Sequence, residues 1–134
     1  MAYALLQDAI DLYGETFVLG SITANTLDDD DETEPDTIAL DNAFAKASSE
    51  MDSYLGVVYS VPVSPVPDIV ERYCIDIGIY LASVDAGTGT DEKRLRYEDA
   101  VKWLRSVAKV DAILVGADAP EEEHLPVTVG PARL

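Results

Sequence analysis

The chain has 134 residues, of which 48% are hydrophobic, and 26 acidic against nine basic residues give it a formal net charge of −17. This length suits a single domain with one hydrophobic core. The charge argues against ordinary nucleic-acid binding and against anionic membranes, since both need clustered lysine and arginine. Cys74 is the only cysteine and His124 the only histidine, which excludes an intrachain disulfide and a Cys/His zinc site.

The chain also lacks the features of a membrane or exported protein. Crossing a bilayer takes about 18–20 consecutive apolar residues, and no stretch of the sequence is that long. Asp8 and Asp11 lie where a signal peptide would be uncharged and hydrophobic. We therefore expect a soluble protein suited to a reducing cytoplasm.

The N-terminal segment predicts a loose hairpin of helical pieces. In residues 4–13 the apolar side chains recur at helical spacing, and Gly14 follows them as a helix end. Residues 15–19 add one more turn before Gly20.

Residues 25–36 form an acidic loop. Like charges at this density repel one another and resist folding, so a mobile loop is the simplest interpretation. The alternative is a calcium loop built on alternating aspartates, but the glycine and the distal glutamate of an EF-hand loop are missing. The acidic residues are Asp28, Asp29, Asp30, Asp31, Glu32, Glu34 and Asp36.

The next segment predicts an amphipathic helix that Asp36 or Thr37 caps. After Gly56 the valines and Tyr59 are consistent with an extended piece up to Val61, and three prolines then forbid regular helix. The apolar positions of this helix are Leu40, Phe44, Ala47, Met51, Tyr54 and Leu55.

Two further helices follow. Pro67 suits the first turn of one, whose broad apolar side includes Val84 and suggests a central position. Asp76 interrupts that side, so we expect it to face solvent or a polar partner on a neighbouring helix. Thr90 or Asp91 caps the last helix, which carries six of the nine basic residues, largely away from its apolar face: Lys93, Arg94, Arg96, Lys102, Arg105 and Lys109.

We predict an all-α fold, a small bundle of about four helices over residues 1–110, with the acidic loop at 25–36. Pro120, Pro126, Gly130 and Pro131 break the pattern after Val110, so residues 111–134 are expected to be an extended or disordered tail. Near the end of this tail, apolar residues alternate with other residues, which is typical of a short strand that adds to another protein's sheet edge or lies in a groove. The candidate docking residues are Leu125, Val127, Val129 and Leu134.

The sequence offers no catalytic, cofactor-binding or metal site. His124 stands among three glutamates in a proline-bracketed tail, where a solvated side chain is expected. Glu50 and Asp52 lie two positions apart on a helix, so their side chains diverge by about 200° and cannot form one acid/base pair. The tyrosines and Trp103 fall on core faces, where packing explains them. We therefore expect a protein that is not an enzyme and binds no cofactor.

Several segments together resemble the head-to-tail connector (neck adaptor) family of Mu-like phages and prophages. Residues 47–55, with Tyr59 and the proline group after it, form the first match, followed by residues 74–80 and 96–104. The resemblance runs from about residue 3 to 110, and its order and spacing are more specific than any one piece. It is carried by Glu50, Asp52, Tyr54, Leu55, Tyr59, Pro62, Asp76, Tyr80, Tyr97, Trp103 and Leu104.

The resemblance implies a structural virion protein. Several copies would form a ring beneath the portal protein of the phage head and offer a platform to the next neck or tail protein. It places the chain in the virion neck, assembled in the host cytoplasm, with DNA passing an acidic lumen without specific binding. The charge alone also fits an acidic DNA mimic that occupies a basic nucleic-acid-binding protein.

Overall fold

The computed structural model describes residues 2–22 and 37–110, which form an all-helical bundle without strands in this part of the chain. The predicted fold class is confirmed. The predicted N-terminal hairpin is two short helices. The acidic loop and the tail lie outside the described residues. The helices are α1 (Leu6–Tyr13), α2 (Glu15–Gly20), α3 (Thr37–Leu55), α4 (Asp68–Ala86) and α5 (Asp91–Ala108).

Local side-chain chemistry explains where these helices begin and end. The Asp8 carboxylate accepts a hydrogen bond from the Leu5 backbone N–H at 2.9 Å, at the start of α1. The Thr90 hydroxyl accepts from the Lys93 N–H at 3.2 Å and caps α5, as predicted. Pro67 immediately precedes α4, and Gly87 ends α4 with a left-handed φ of 77°.

The centre of the bundle is the interface between α3 and α4. Phe44, Met51 and Leu55 of α3 are fully buried there with residues of α4. Gly78 lets the two helices approach closely: a Cβ atom at this position would lie 2.7 Å from Cε1 of Phe44. The ring of Phe44 therefore occupies the space that any other residue at position 78 would need.

Helix α5 packs on α4 through apolar and aromatic side chains. Ala100, Leu104 and Val107 are fully buried. The ring centroids of Tyr73 and Trp103 lie 4.9 Å apart, and those of Tyr80 and Tyr97 lie 4.7 Å apart in a stacked pair. These contacts fix α5 along the length of α4.

The N-terminal arm, which we define as residues 2–22, lies along the bundle. Ala9 and Val18 are its fully buried apolar residues. Its first residues contact the end of α3, and its last contact the turn after α4, where the Thr88 hydroxyl donates to the Ser21 carbonyl at 2.5 Å. The arm therefore connects the C-terminal half of α3 with the turn after α4.

Three sequence-based expectations were wrong. Residues 56–59 are not extended, because Val58 and Tyr59 donate backbone hydrogen bonds to Leu55 and continue α3 into tight turns. Val84 is 53% exposed, since it lies near the end of α4, beyond the apolar contacts of its neighbours. Lys93 is buried rather than solvated, because Phe17 of the N-terminal arm covers its ammonium group.

Candidate functional site

Three tyrosines join separate parts of the bundle by donating hydrogen bonds to carboxylates. Tyr97 of α5 donates to Glu50 of α3 at 3.0 Å. The other two belong to the N-terminal arm. Tyr3 donates to Asp52 of α3 and Tyr13 to Asp76 of α4, each at 2.5 Å. Because each pair spans 47 or more residues, these bonds define tertiary rather than local structure.

Tyr3 is the anchor at the start of the arm. Its side chain is only 4% exposed, and its hydroxyl also accepts a hydrogen bond from the Val63 N–H at 3.0 Å. Its own backbone N–H donates to the Ser48 hydroxyl at 2.8 Å. Burial, followed by the hydrogen bond to Asp52, raises the pKa of Tyr3 far above its usual 10. The residue therefore stays a neutral donor throughout the physiological range.

Tyr13 and Asp76 form the middle of a second cluster. Asp76 is 6% exposed, and burial raises the pKa of its carboxyl, while the Tyr13 hydroxyl and the charges of Arg72 and Arg96 act in the opposite direction. The Arg96 guanidinium lies 4.5 Å from the centroid of the Tyr13 ring. The cluster leaves no space for a water molecule. The polar partner expected for Asp76 is therefore the arm.

Lys93 is buried at the far end of the same cluster. Its ammonium donates to the Thr88 carbonyl at 3.1 Å and lies 5.4 Å from the centroid of the Phe17 ring. Burial lowers the pKa of Lys93. The arm thus covers a cation that helical spacing alone places among the solvated basic residues of α5.

An open groove of about 260 Å³ lies between α3 and α5. The Tyr97–Glu50 hydrogen bond crosses its floor, and Tyr80 stacks on Tyr97 from α4. Burial and the hydrogen bond to Glu50 raise the pKa of Tyr97 to about 12. Its lining combines aromatic, acidic and basic groups: Glu50, Tyr54, Tyr97, Glu98, Val101 and Arg105.

The environments of the described tyrosines and of Cys74 suppress their reactivity at neutral pH. Each tyrosine above has a raised pKa and donates to a carboxylate, so it is a poor nucleophile or base at neutral pH. Cys74 is buried beside Ser48, and burial raises the pKa of its thiol, which suppresses thiolate chemistry. No three His, Cys, Asp or Glu side chains in residues 2–22 and 37–110 are grouped to hold a metal ion.

The sequence-predicted positions lie in several different parts of the structure. Glu50, Tyr54, Tyr80 and Tyr97 meet at the α3–α5 groove. Asp52 and Asp76 hold the arm, while Leu55, Tyr59 and Leu104 are buried in the core and Trp103 packs on Tyr73. Pro62 is exposed in the connection before α4. The alternative calcium loop, His124 and the tail residues Leu125, Val127, Val129 and Leu134 lie outside the described residues.

Sequence reasoning missed the residues that fix the arm. Tyr3, Phe17 and Ser48 gave no local signal, because their partners lie 45 or more residues away along the chain. A tyrosine near a chain end is common. The carboxylate at position 76 within an apolar helix face was the only sign that a polar partner must cover α4.

Comparison with known proteins places this architecture in a family. Residues 3–129 match the family model described as Bacteriophage Mu, Gp36. The chain is 36% identical over 87 residues to the Mu-like prophage FluMu protein gp36 of Haemophilus influenzae, covering 65% of this chain and 60% of that protein. It is 29% identical over 96 residues to gene product J of Escherichia phage Mu, covering 69% and 67% of the two chains.

These findings define the chain as a small helical protein of the Mu-like phages and prophages. The chain belongs to the Bacteriophage Mu, Gp36 family. The match extends to residue 129, beyond the limit near residue 110 that the sequence motifs gave. The chain spans 60% of the length of the FluMu relative. None of the described helices is long and apolar enough to cross a membrane.

Proposed function

We propose that this protein is a structural subunit of the phage neck, several copies of which form a ring that joins the portal of the head to the tail. Membership of a Mu-like phage family is the observation that carries the proposal. The described groups support it, because tyrosine–carboxylate bonds hold helices in place and leave no nucleophile beside a base. On this proposal the protein is not an enzyme and binds no cofactor.

The charge of the chain fits a protein that DNA passes without being captured. A net charge of −17 repels phosphates at short range, so a lumen lined by such subunits would favour sliding over binding. The proposed partners are the portal protein on one side and the next neck or tail protein on the other. Residues 111–134, with Leu125, Val127 and Val129, are the proposed portal-docking segment.

The experiment is electron microscopy of lysates from a phage in which this gene is deleted. We expect separate DNA-filled heads and finished tails, and joined infectious particles when the full-length gene is supplied in trans. A chain that lacks residues 111–134 should not restore joining if the tail docks on the portal. Normal particles from the deletion phage would refute the neck role, and restoration by the shortened chain would refute the docking role alone.

A second candidate is an acidic DNA mimic that occupies a basic nucleic-acid-binding protein, which the net charge favours. Binding of that kind depends on many charge pairs, so its affinity falls steeply as salt screens them. The same deletion lysates distinguish the two roles. Without the gene, heads and tails remain joined if it encodes a mimic and stay separate if it encodes a neck subunit. A salt-sensitive complex with a basic DNA-binding protein would then favour the mimic.

A further inference from the structure

The outer face of α5 carries a positive patch that the described part of the molecule does not neutralise. In the first half of the helix, Arg94 pairs with Asp91 and Glu98, and Arg96 pairs with Glu92. The second half differs. Lys102, Arg105 and Lys109 are exposed, and no carboxylate of residues 2–22 and 37–110 lies within 4.0 Å of them.

These three side chains lie on one side of the helix. Positions 102, 105 and 109 differ by three and seven residues, so their side chains fall within about 60° of one another around the axis. Leu95 is 53% exposed and lies seven residues before Lys102, on the same stripe. We name this surface, formed by Leu95, Lys102, Arg105 and Lys109, the basic face.

A second surface has the opposite charge. Asp11 of α1 and Asp68 of α4 are exposed, and their negative charges act on Glu71 together with that of Asp8. Burial raises the pKa of Glu71, and the negative charges of Asp8, Asp68 and Asp11 raise it further, so these carboxylates repel one another. A cation brought to this surface would relieve that repulsion.

This acidic surface also exposes apolar side chains. Leu5, the residue that precedes α1, is 63% exposed and Leu12 of α1 is 44% exposed; they lie three residues before and four residues after Asp8. We name the surface formed by Leu5, Asp8, Asp11, Leu12, Asp68 and Glu71 the acidic face. Charged groups around exposed leucines are the composition of an interface rim around an apolar centre.

We propose that the basic face of one copy docks on the acidic face of a second copy of this chain. The two faces lie on different helices, so the contact joins unlike surfaces and is heterologous. Such a contact repeats from copy to copy and closes into a ring where its rotation allows. The inference deepens the proposed role and rests on it only for the use that the phage makes of the contact.

The test uses two charge-reversal variants of the full chain and their mixture. The basic-face variant is Lys102→Glu, Arg105→Glu and Lys109→Glu. The acidic-face variant is Asp11→Lys, Asp68→Lys and Glu71→Lys. Association is measured by sedimentation velocity at low and high salt, and circular dichroism checks that each variant keeps its helices.

We expect the wild type to self-associate at low salt and each variant alone to associate at least about tenfold more weakly, because every copy then presents two faces of like charge. An equal mixture should recover association, since each reversed face meets the other variant's oppositely reversed face. The acidic-face variant has the lower net negative charge, so its failure cannot come from general repulsion. The matched controls Lys46→Glu and Asp41→Lys, on α3, should associate as the wild type does.

A wild-type chain that stays monomeric at millimolar concentration and low salt would overturn the proposal, as would variants that associate unchanged or a mixture that stays dissociated. The outcome is separate from that of the deletion phage. Joined particles without the gene would refute the neck role but not the contact between copies. Separate heads and tails, together with a protein that stays monomeric, would support the neck role and refute the contact.

Discussion

Two of the interfaces of α4, with α3 and with the N-terminal arm, are built on different principles. Its contact with α3 is apolar and depends on shape: Phe44 fills the space beside Gly78, and Met51 and Leu55 are fully buried. Its contact with the N-terminal arm depends on directional bonds, with Tyr13 on Asp76 as the centre. Close apolar packing holds α4 against α3, and hydrogen bonds hold the arm against α4.

In this molecule apolar packing supplies most of the stability, and hydrogen bonds fix the position of the arm. Apolar burial supplies most of the free energy of folding and has little directionality. A hydrogen bond contributes a net ~0.5–1.5 kcal/mol, but a buried group that loses its partner costs about 1–3 kcal/mol. The arm is therefore held in one position, because any shift leaves Asp52, Asp76 or the Val63 N–H without a partner.

The largest effect is expected where shape governs, at Gly78. Gly78→Ala places a methyl carbon 2.7 Å from Cε1 of the Phe44 ring, so the helices must separate or the ring must move. Overpacking of this kind should lower the free energy of unfolding by about 3 kcal/mol, measured by urea denaturation. Gly20→Ala is the matched control, since a Cβ there meets nothing within 4 Å.

A double-mutant cycle sharpens that prediction. Phe44→Leu removes part of the ring, so the pair Phe44→Leu with Gly78→Ala should be more stable than the sum of the single effects predicts, by roughly 1 kcal/mol or more. Additive effects would show that the alanine disturbs α4 by some route other than the ring of Phe44.

The second-largest effect is expected at the interface between the arm and α4. Tyr13→Phe keeps the ring but removes the donor to Asp76, leaving a carboxylate that is 6% exposed without this hydrogen bond. We expect a loss of about 2 kcal/mol in the free energy of unfolding, read from chemical denaturation. Asp76→Asn should reduce the loss in the Tyr13→Phe background, because the buried group then carries no charge. Tyr54→Phe is the matched control and should change stability by less than ~0.5 kcal/mol.

The same contrast explains what could be predicted from the sequence. Periodicity gives α3, α4 and α5 because each buries a continuous stripe, as at Leu40, Phe44 and Met51. Thr90 marks the start of α5 for a local reason, the hydrogen bond that its hydroxyl accepts from the Lys93 N–H, and the structure confirms this cap. The apolar spacing of a helix can be read from residues that are close together in the sequence, which is why these helices could be predicted.

Hydrogen bonds between segments that are distant in the sequence could not be predicted in this way. Asp76 indicated that a polar partner was needed, but nothing in the sequence identified Tyr13, 63 residues earlier. Lys93 was misplaced for the same reason: the helical pattern of α5 puts it with solvated cations, whereas Phe17 of the arm covers it. A candidate site built from such long-range pairs requires the tertiary structure.

Alkaline pH should weaken the arm interface and the α3–α5 pair before the apolar interface. Burial and the carboxylate acceptors raise the pKa of Tyr13 and of Tyr97 to about 12, against 10 in the unfolded chain. A group whose folded pKa is raised stabilises the fold fully below its unfolded pKa, and this contribution is lost as pH rises from about 10 to 12.

The measurement is the free energy of unfolding as a function of pH, with tyrosinate absorbance followed in parallel. Stability should fall across that window in the wild type and fall less in Tyr13→Phe, which has already lost one of these groups. An equal decline in both proteins would mean that Tyr13 ionises as an exposed tyrosine does, and would remove it from the anchors of the arm.

The smallest effect is expected at Lys93, where a substitution tests whether its positive charge contributes to the stability of the fold. Lys93→Met keeps the length and the apolar stem of the side chain but removes the hydrogen bond to the Thr88 carbonyl and the charge near the Phe17 ring. Burial lowers the pKa of Lys93, so desolvation of the ammonium offsets part of what those contacts contribute. We expect a net loss of about 1 kcal/mol, measured against Lys102→Met on the exposed face of α5, which should change stability by less than ~0.5 kcal/mol. A Lys93→Met protein at least as stable as the wild type would mean that packing alone closes this end of the arm, and directional bonds would then hold the arm only at Tyr3 and Tyr13.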